Sequence, residues 1–353
     1  MADKILMKGN EALAEAAIMA GCRHYFGYPI TPQTEVAAYM AKRMPKIGGV
    51  FLQAESEIAA INMVIGAAAA GKRAMTSSSS PGISLKSEGI SYMAGCDLPA
   101  LIVNVQRGGP GLGGIQPSQS DYFQATCGGG HGDFHLLVLA PSSVQEMADL
   151  VAKGFDLAEK YRMPCMLLAD GTMGQMMEPV SLEETKQEAC EKPWALTGTK
   201  GERKPNIINS LALQPNELEQ WNEDRFKRYE IVKENEQMAE SYLMDDAEYC
   251  VVAFGIAARV SQNAVDAARA KGIKVGMIRP ITLWPFPEKV LKEAADKCKA
   301  FLSVELNMGQ MIKDVKLAID CKKPVDLCYR TGGMIPSPEE VLAAIEKMQK
   351  EGK

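Results

Sequence analysis

Long apolar runs, paired cysteines and histidines are all scarce here, and each shortage removes a class of protein. No stretch of the 353 residues approaches the roughly 20 consecutive apolar residues that a membrane-spanning helix needs. The composition, 46% hydrophobic and 24% charged, is that of a globular protein in water. Nine cysteines stand singly, with no Cys-x-x-Cys pair to hold zinc or an iron–sulfur cluster, so any cluster is expected on another chain. His24, His131 and His135 have no metal-ligand spacing, and no metal site is expected. A formal charge of −5 without a basic stripe argues against nucleic acid as a partner. Met1–Leu6 carries neither an apolar signal core nor an Arg-rich segment, and an odd number of thiols with 21 methionines suits a reducing compartment. A cytoplasmic protein is expected, with no membrane partner.

What is present is the rhythm of an α/β protein, and the length suits two cores rather than one. Over residues 1–180 short apolar strands alternate with Ala-rich helical stretches such as Asn10–Ala20, Glu57–Ala70, Leu85–Ala94 and Ser143–Tyr161. Residues 181–246 change character: a Pro/Gly/Asn-rich stretch is followed by a charged helical pattern, read as a linker with one amphipathic helix. Over residues 247–353 strands return at Tyr249–Phe254, Lys274–Ile278, Phe301–Val304 and Val325–Tyr329. The expectation is two doubly wound domains, the second smaller.

In such sheets ligands bind at the carboxyl ends of the strands, and four loops there stand out. Tyr28-Pro29-Ile30-Thr31-Pro32 has two prolines that restrict the backbone around the Thr31 hydroxyl; alternatively Thr31 caps the next helix with Pro32 in its first turn. Gln53-Ala54-Glu55-Ser56-Glu57 leads into a helix apolar on every face, which predicts a buried helix and a desolvated first-turn acid; Glu55 and Glu57 could instead complement the helix dipole. Thr76–Gly82 is a hydroxyl-rich turn without the Gly-Lys-Ser/Thr element of a P-loop. Gln106-Arg107-Gly108-Gly109-Pro110 places an arginine at a strand end, suited to gripping a carboxylate or paired to a structural acid. A nucleotide-binding dehydrogenase is set aside for want of a Gly-x-Gly-x-x-Gly dinucleotide turn after a strand. A non-catalytic ligand-binding or scaffold subunit stays open.

Together these loops resemble the α-type subunits of 2-oxoacid:ferredoxin oxidoreductases. Tyr28–Pro32 looks like their Tyr-Pro-Ile-Thr-Pro signature, Gln53–Ala59 like their Gln-Ala-Glu-x-Glu-Ile-Ala segment, and Val105–Pro110 like their Val-Gln-Arg-x-Gly-Pro. Thr76–Gly82, Arg279–Pro287 and Val304–Gln310 are also similar to family segments. The resemblance implies a thiamine-diphosphate pyrimidine-binding domain followed by a transketolase C-terminal-like domain. It implies Glu57 as the catalytic acid, since that residue precedes Gly66 by nine positions as the family's does, whereas Glu55 does not. The Glu57 carboxyl would hydrogen-bond the pyrimidine ring of the cofactor. By the same resemblance Arg107 binds the substrate carboxylate, Thr31 faces the substrate or the cofactor, and Tyr28, Pro29, Ile30, Ser80, Pro81 and Gly82 contribute to the cofactor site.

A Gly-Asp-Gly motif for diphosphate and Mg²⁺ is missing, Ala169-Asp170-Gly171 failing at its first residue, so half a site is expected. The resemblance implies that a β subunit supplies diphosphate and Mg²⁺ binding with a [4Fe-4S] cluster. It also implies a ferredoxin-like iron–sulfur subunit and a γ subunit, with coenzyme A, a 2-oxoacid and ferredoxin as reactants. Kinship of the Leu283-Trp284-Pro285 and Gly309-Gln310 segments points to a branched-chain 2-oxoacid, 3-methyl-2-oxobutanoate, with 2-oxoglutarate as the alternative. The latter needs a second cation; Lys86 is nearest in sequence and reads as an exposed helix residue.

Overall fold

The structure is a computed structural model that describes residues 4–182 and 190–351. Up to residue 182 the chain forms β1 (Ile5–Lys8), α1 (Gly9–Met19), β2 (His24–Gly27), α2 (Thr34–Arg43), β3 (Val50–Gln53), α3 (Glu57–Ala69), β4 (Ala74–Ser78), α4 (Ser80–Gly95), β5 (Leu101–Gln106), α5 (Tyr122–Thr126), β6 (Leu137–Leu139), α6 (Val144–Tyr161), β7 (Cys165–Asp170), α7 (Gly171–Gln175) and β8 (Met177–Val180). Then follow α8 (Pro215–Asn235), β9 (Ala239–Tyr242), β10 (Tyr249–Ala253), α9 (Gly255–Ala270), β11 (Val275–Pro280), β12 (Thr282–Trp284), α10 (Glu288–Lys297), β13 (Ala300–Glu305), α11 (Met311–Ala318), β14 (Val325–Tyr329) and α12 (Pro338–Lys350). Residues 183–189 of the expected linker lie outside the described residues.

Both α/β regions carry mainly parallel sheets. The first has the order β12-β6-β7-β5-β4-β2-β3, parallel except for β12, which comes from the second region and pairs antiparallel with β6. The second has the order β14-β13-β10-β11-β9; its antiparallel edge strand β9 comes from the stretch expected to be linker. Strands β5 to β7, β10, β11 and β13 are mostly apolar and wholly buried, as strands covered by helices on both faces must be. In β4, however, Thr76, Ser77 and Ser78 are buried too.

Several elements differ from the sequence reading. Helix α4 starts at Ser80 and not at Leu85, because Ser79 is extended at the cap position and Pro81 suits a first turn whose N–H groups need no partner. Thr31 does not cap a helix: α2 begins at Thr34, with Gln33 before it. Helix α3 is not buried all round, since Ile58 is 49% exposed and Asn62 and Gly66 are exposed as well. Helix α12, opened by a capping box of Ser337 and Glu340, was not anticipated.

The two regions share a polar seam. Gln119 donates from Nε2 to the Phe254 carbonyl (2.8 Å) and accepts from the Leu306 N–H (3.1 Å). Asn307 Nδ2 donates to the Gln119 carbonyl (2.9 Å). Asp170 caps α7 through the N–H groups of Thr172 and Met173, and its other oxygen accepts from Ile256 N–H of the second region (3.1 Å).

Candidate active site

The four loops meet at one edge of the first sheet, because β3, β2, β4 and β5 are consecutive parallel neighbours and all end there. The Ala54 N–H donates to the Gly27 carbonyl (2.9 Å), joining the loop after β3 to the loop after β2. The latter is pinned by its carbonyls. Asn10 and Gln175 donate to Pro32 O (2.8 and 2.9 Å), and the buried Gln33 donates to Tyr28 O (3.3 Å) while accepting from Ser77 Oγ (2.5 Å). Thr31 itself is exposed, as is Pro29; Tyr28 and Ile30 are half-buried.

Arg107 closes the constellation. Its guanidinium donates to the carbonyls of Thr31 (3.0 Å) and Leu112 (3.4 Å), so these two sequence candidates are brought together. No acid pairs with it among the described residues, and its Nε is buried without a partner. The glycines after it form an exposed loop that returns through Gly108 N–H to Gln116 O (3.0 Å). Gly109, Gly111 and Gly114 do have Gly-x-Gly-x-x-Gly spacing, contrary to expectation, but no helix follows them and no dinucleotide cradle results.

Glu57 is the first residue of α3, 6% exposed, with Ser56 capping the helix by accepting from Ala59 N–H (3.2 Å). No described residue donates a hydrogen bond to its carboxyl. Facing it is Gly82: a Cβ there would lie 2.8 Å from Glu57 Oε1 and 2.1 Å from Ser78 Oγ, so only glycine fits. Glu55, by contrast, is exposed. The hydroxyls of Thr76, Ser78 and Ser79 are buried and lack partners among the described residues. Ser80 Oγ accepts from Arg107 N–H (3.1 Å) and donates to Asp121 (2.6 Å), locking the start of α4 to the end of β5.

Two residues were misread or missed. Lys86 is fully buried, not exposed: its Nζ donates to the Glu57 carbonyl (3.4 Å), and burial lowers its pKa to about 8 against the opposing pull of Glu57. Asp121, without any signal in the sequence, accepts from Ser80 and Asn104, and burial raises its pKa despite those two bonds. An open cavity of about 750 Å³ adjoins these groups at the seam, lined by Ser80, Pro81, Gly108, Asp121, Asn307 and Thr331 among others.

The residues fit a pyrimidine better than a diphosphate. A donor-starved carboxyl, a glycine floor and unpartnered hydroxyls suit a flat heteroaromatic ring with exocyclic nitrogen. Asp170 is spent on helix α7 and Ile256, and among the described residues no group of three or more His, Cys, Asp or Glu is placed to hold a metal ion. No described helix is long and apolar enough to cross a membrane.

Comparison with known proteins identifies the family. Residues 15–241 match the family model "Pyruvate flavodoxin/ferredoxin oxidoreductase, thiamine diP-bdg", and residues 247–341 match "Pyruvate:ferredoxin oxidoreductase core domain II". The chain is 50% identical over 344 residues to ketoisovalerate oxidoreductase subunit VorB of Methanothermobacter thermautotrophicus, covering 97% of each. It is 38% identical over 371 residues to 2-oxoglutarate synthase subunit KorA of Methanocaldococcus jannaschii, covering 96% of this chain and 98% of the relative. Among solved structures it resembles the 2-oxoglutarate:ferredoxin oxidoreductase of Magnetococcus marinus, with a TM-score of 0.87 at 29% identity, covering 98% of this chain and 65% of that one. A split-gene transketolase shares the fold, with a TM-score of 0.60 at 14% identity over 97% of each chain. On these matches the chain belongs to the pyruvate flavodoxin/ferredoxin oxidoreductase family.

Proposed function

We propose that this chain is the pyrimidine-binding subunit of a heteromeric, cytoplasmic 2-oxoacid:ferredoxin oxidoreductase that converts a branched-chain 2-oxoacid such as 3-methyl-2-oxobutanoate, coenzyme A and oxidised ferredoxin to acyl-CoA, CO₂ and reduced ferredoxin. The observation that carries this is Glu57, a buried residue whose carboxyl accepts no hydrogen bond from the described residues, beside an apolar surface (Ile58, Val50, Leu52, Leu85) that this chain leaves 40–50% exposed. An acid left without a donor at the margin of an uncovered apolar surface is placed to meet a group outside the chain. Thiamine diphosphate, when bound between this chain and a β subunit, supplies the nucleophilic thiazolium carbon and the electron sink for decarboxylation.

This chain's own share is acid–base work and positioning. The protonated Glu57 carboxyl donates to the pyrimidine ring nitrogen, and Gly82 with Tyr28, Pro29, Ile30, Ser80 and Pro81 shapes the space around the ring. Arg107, held by the Thr31 carbonyl, takes the substrate carboxylate, and Thr31 lies beside it. Diphosphate, Mg²⁺ and [4Fe-4S] clusters are assigned to partner chains. The relation to VorB supports the branched-chain substrate. So does the placement of Lys86, which bonds the Glu57 carbonyl and lines none of the adjoining cavity, leaving no cation among the described residues evident for a distal carboxylate.

The test is reconstitution with partner chains. Glu57→Gln is expected to lower kcat by roughly 10²-fold or more, the general acid–base range, and the isolated chain should turn nothing over. A Glu57→Gln complex with unaltered kcat would make the chain a scaffold, and a higher kcat/KM for 2-oxoglutarate than for 3-methyl-2-oxobutanoate would reverse the substrate assignment.

A further inference from the structure

Three arginines meet at the edge of the first sheet opposite the four loops. Strands β5 and β7 are parallel neighbours, so Asp97, shortly before β5, and Arg162, shortly before β7, lie together at the amino ends of those strands, away from Arg107. Helix α8 packs on them through Arg225 and Arg228. With Trp194, Trp221 and the irregular chain around Ile208 they enclose a cavity of about 360 Å³. Asp97 is the acid that meets the arginines. Its Oδ1 accepts from Arg228 Nη2 (2.5 Å) and lies 3.6 Å from Arg225 Nε, and its carbonyl accepts from Arg162 Nε (3.3 Å). The other acid of the wall, Asp224, is exposed and spent on Gln220 and Lys227 (2.9 Å each).

Three guanidiniums are thus gathered around one carboxylate, and their donors are not used up. The Nε atoms of Arg225 and Arg228 are buried without an acceptor among the described residues, although buried polar groups are normally satisfied. Arg225 is only 7% exposed, with Asn222 and the Gly95 carbonyl taking its Nη groups (2.8 and 3.2 Å). The Arg162 guanidinium lies 4.7 Å from the centroid of the Trp194 ring, and its Nη groups have no acceptor among the described residues. Burial lowers the pKa of Arg162; Asp97 opposes this and Arg228 adds to it, as a like charge does. So many half-buried cations are costly to hold together without a counter-charge.

We propose that this cavity is a phosphate-binding site, taking free phosphate or the phosphate of a nucleotide, with Arg162 and Arg228 as its donors. A dianion balances the positive surplus left after Asp97, which a single carboxylate does not, and planar guanidinium forks match phosphate oxygens. The cavity lies within the size range of small-molecule sites, roughly 300–1,000 Å³, and the faces of Trp194 and Trp221 are available to a nucleobase. The site lies on this chain alone and is independent of the reaction proposed above.

Isothermal titration calorimetry of the full chain in phosphate-free, low-salt buffer tests this with inorganic phosphate and with AMP. Phosphate is expected to bind saturably, one per chain, to raise the melting temperature, and to bind less tightly as sodium chloride is added. Arg162→Gln and Arg228→Gln should each weaken it by about tenfold or more, the worth of one charge-assisted hydrogen bond. Arg107→Ala, at the opposite edge, should bind phosphate as wild type does. AMP binding at least tenfold tighter than phosphate would support the site with a nucleotide as its ligand; equal affinities would support it with free phosphate. Absence of saturable binding to wild type would overturn the proposal, as would binding that both arginine variants retain or that Arg107→Ala abolishes. Should the arginine variants fail to fold, a Trp284→Phe chain still decides: its remaining tryptophans, Trp194 and Trp221, line the cavity, and phosphate or AMP that binds without changing their fluorescence binds elsewhere.

Discussion

On the proposed reading, Arg107 holds two jobs. Its Nη groups are committed to the carbonyls of Thr31 and Leu112, which fixes the plane of the guanidinium, yet no acid among the described residues neutralises it. A planar fork held in this way is prepared for a carboxylate, and lysine could not reproduce it. Arg107→Ala in the reconstituted enzyme is expected to lower kcat/KM for the 2-oxoacid by about 2–4 kcal/mol, largely from the substrate charge left unpaired, while cofactor affinity measured by fluorescence titration stays unchanged. Equal kinetics with every 2-oxoacid would take Arg107 out of the substrate site. That Arg107 stands at the end of a strand was legible in the sequence. Its tie to Thr31 was not, since 76 residues of sequence separate the two.

At the scale of an element, the first turn of α4 decides how close the two helices of the site can come. Gly82 faces Glu57, and Gly89, two turns on, lets α4 approach Ile61 of α3, where a Cβ would come within 2.5 Å. These are helix-interior glycines, each weakening the helix by about 0.5–1 kcal/mol relative to alanine, which is consistent with a packing demand. Gly82→Ala should therefore not show the usual gain in stability. The new methyl would meet Ser78 Oγ and Glu57 Oε1, and a loss of about 1–3 kcal/mol in urea denaturation is expected, as for other overpacked sites, together with at least tenfold lower activity from displacement of the acid. An alanine variant as stable and as active as wild type would contradict the geometry. The sequence showed a Pro-Gly turn here. That the turn is already helix follows from the extended Ser79 and the N-terminal tolerance for Pro81.

For the whole molecule, the uncovered surface matters most. Helix α3 is apolar in sequence on nearly every face, yet Ile58 is 49% exposed, and Val50 and Leu52 on the edge strand β3 are 42% and 40% exposed. Apolar patches of this kind mark interaction sites, and Glu57 lies buried at its margin. Ile58→Glu is expected to leave the melting temperature of the isolated chain within a degree or two of wild type, as exposed substitutions do, and to abolish co-elution with the β subunit in size-exclusion chromatography. A charged variant that still assembles would place the partner elsewhere. The seam between the two regions works in the other direction: Gln119, Asp170 and Asn307 are buried and satisfied across it, so the two sheets are tied within the chain.

The sequence alone determined the α/β class, the strands that form the cores, the four loops and the family, because a covered parallel sheet demands contiguous apolar runs and its ligand loops follow those runs at once. Through the family's nine-residue interval to Gly66 it put forward Glu57 over Glu55, a local matter that stands as a proposal. Tertiary structure alone decided what depends on groups far apart in the chain. β12 completes the first sheet from the second region, and β9, from the stretch read in the sequence as linker, edges the second sheet. Asp170 is spent between α7 and Ile256. Lys86, whose helix pattern reads as exposed, is buried because α4 turns that face toward Glu57 of α3 rather than toward water. Periodicity tells which residues share a face of a helix; only the packing of the neighbouring helix tells which face is covered.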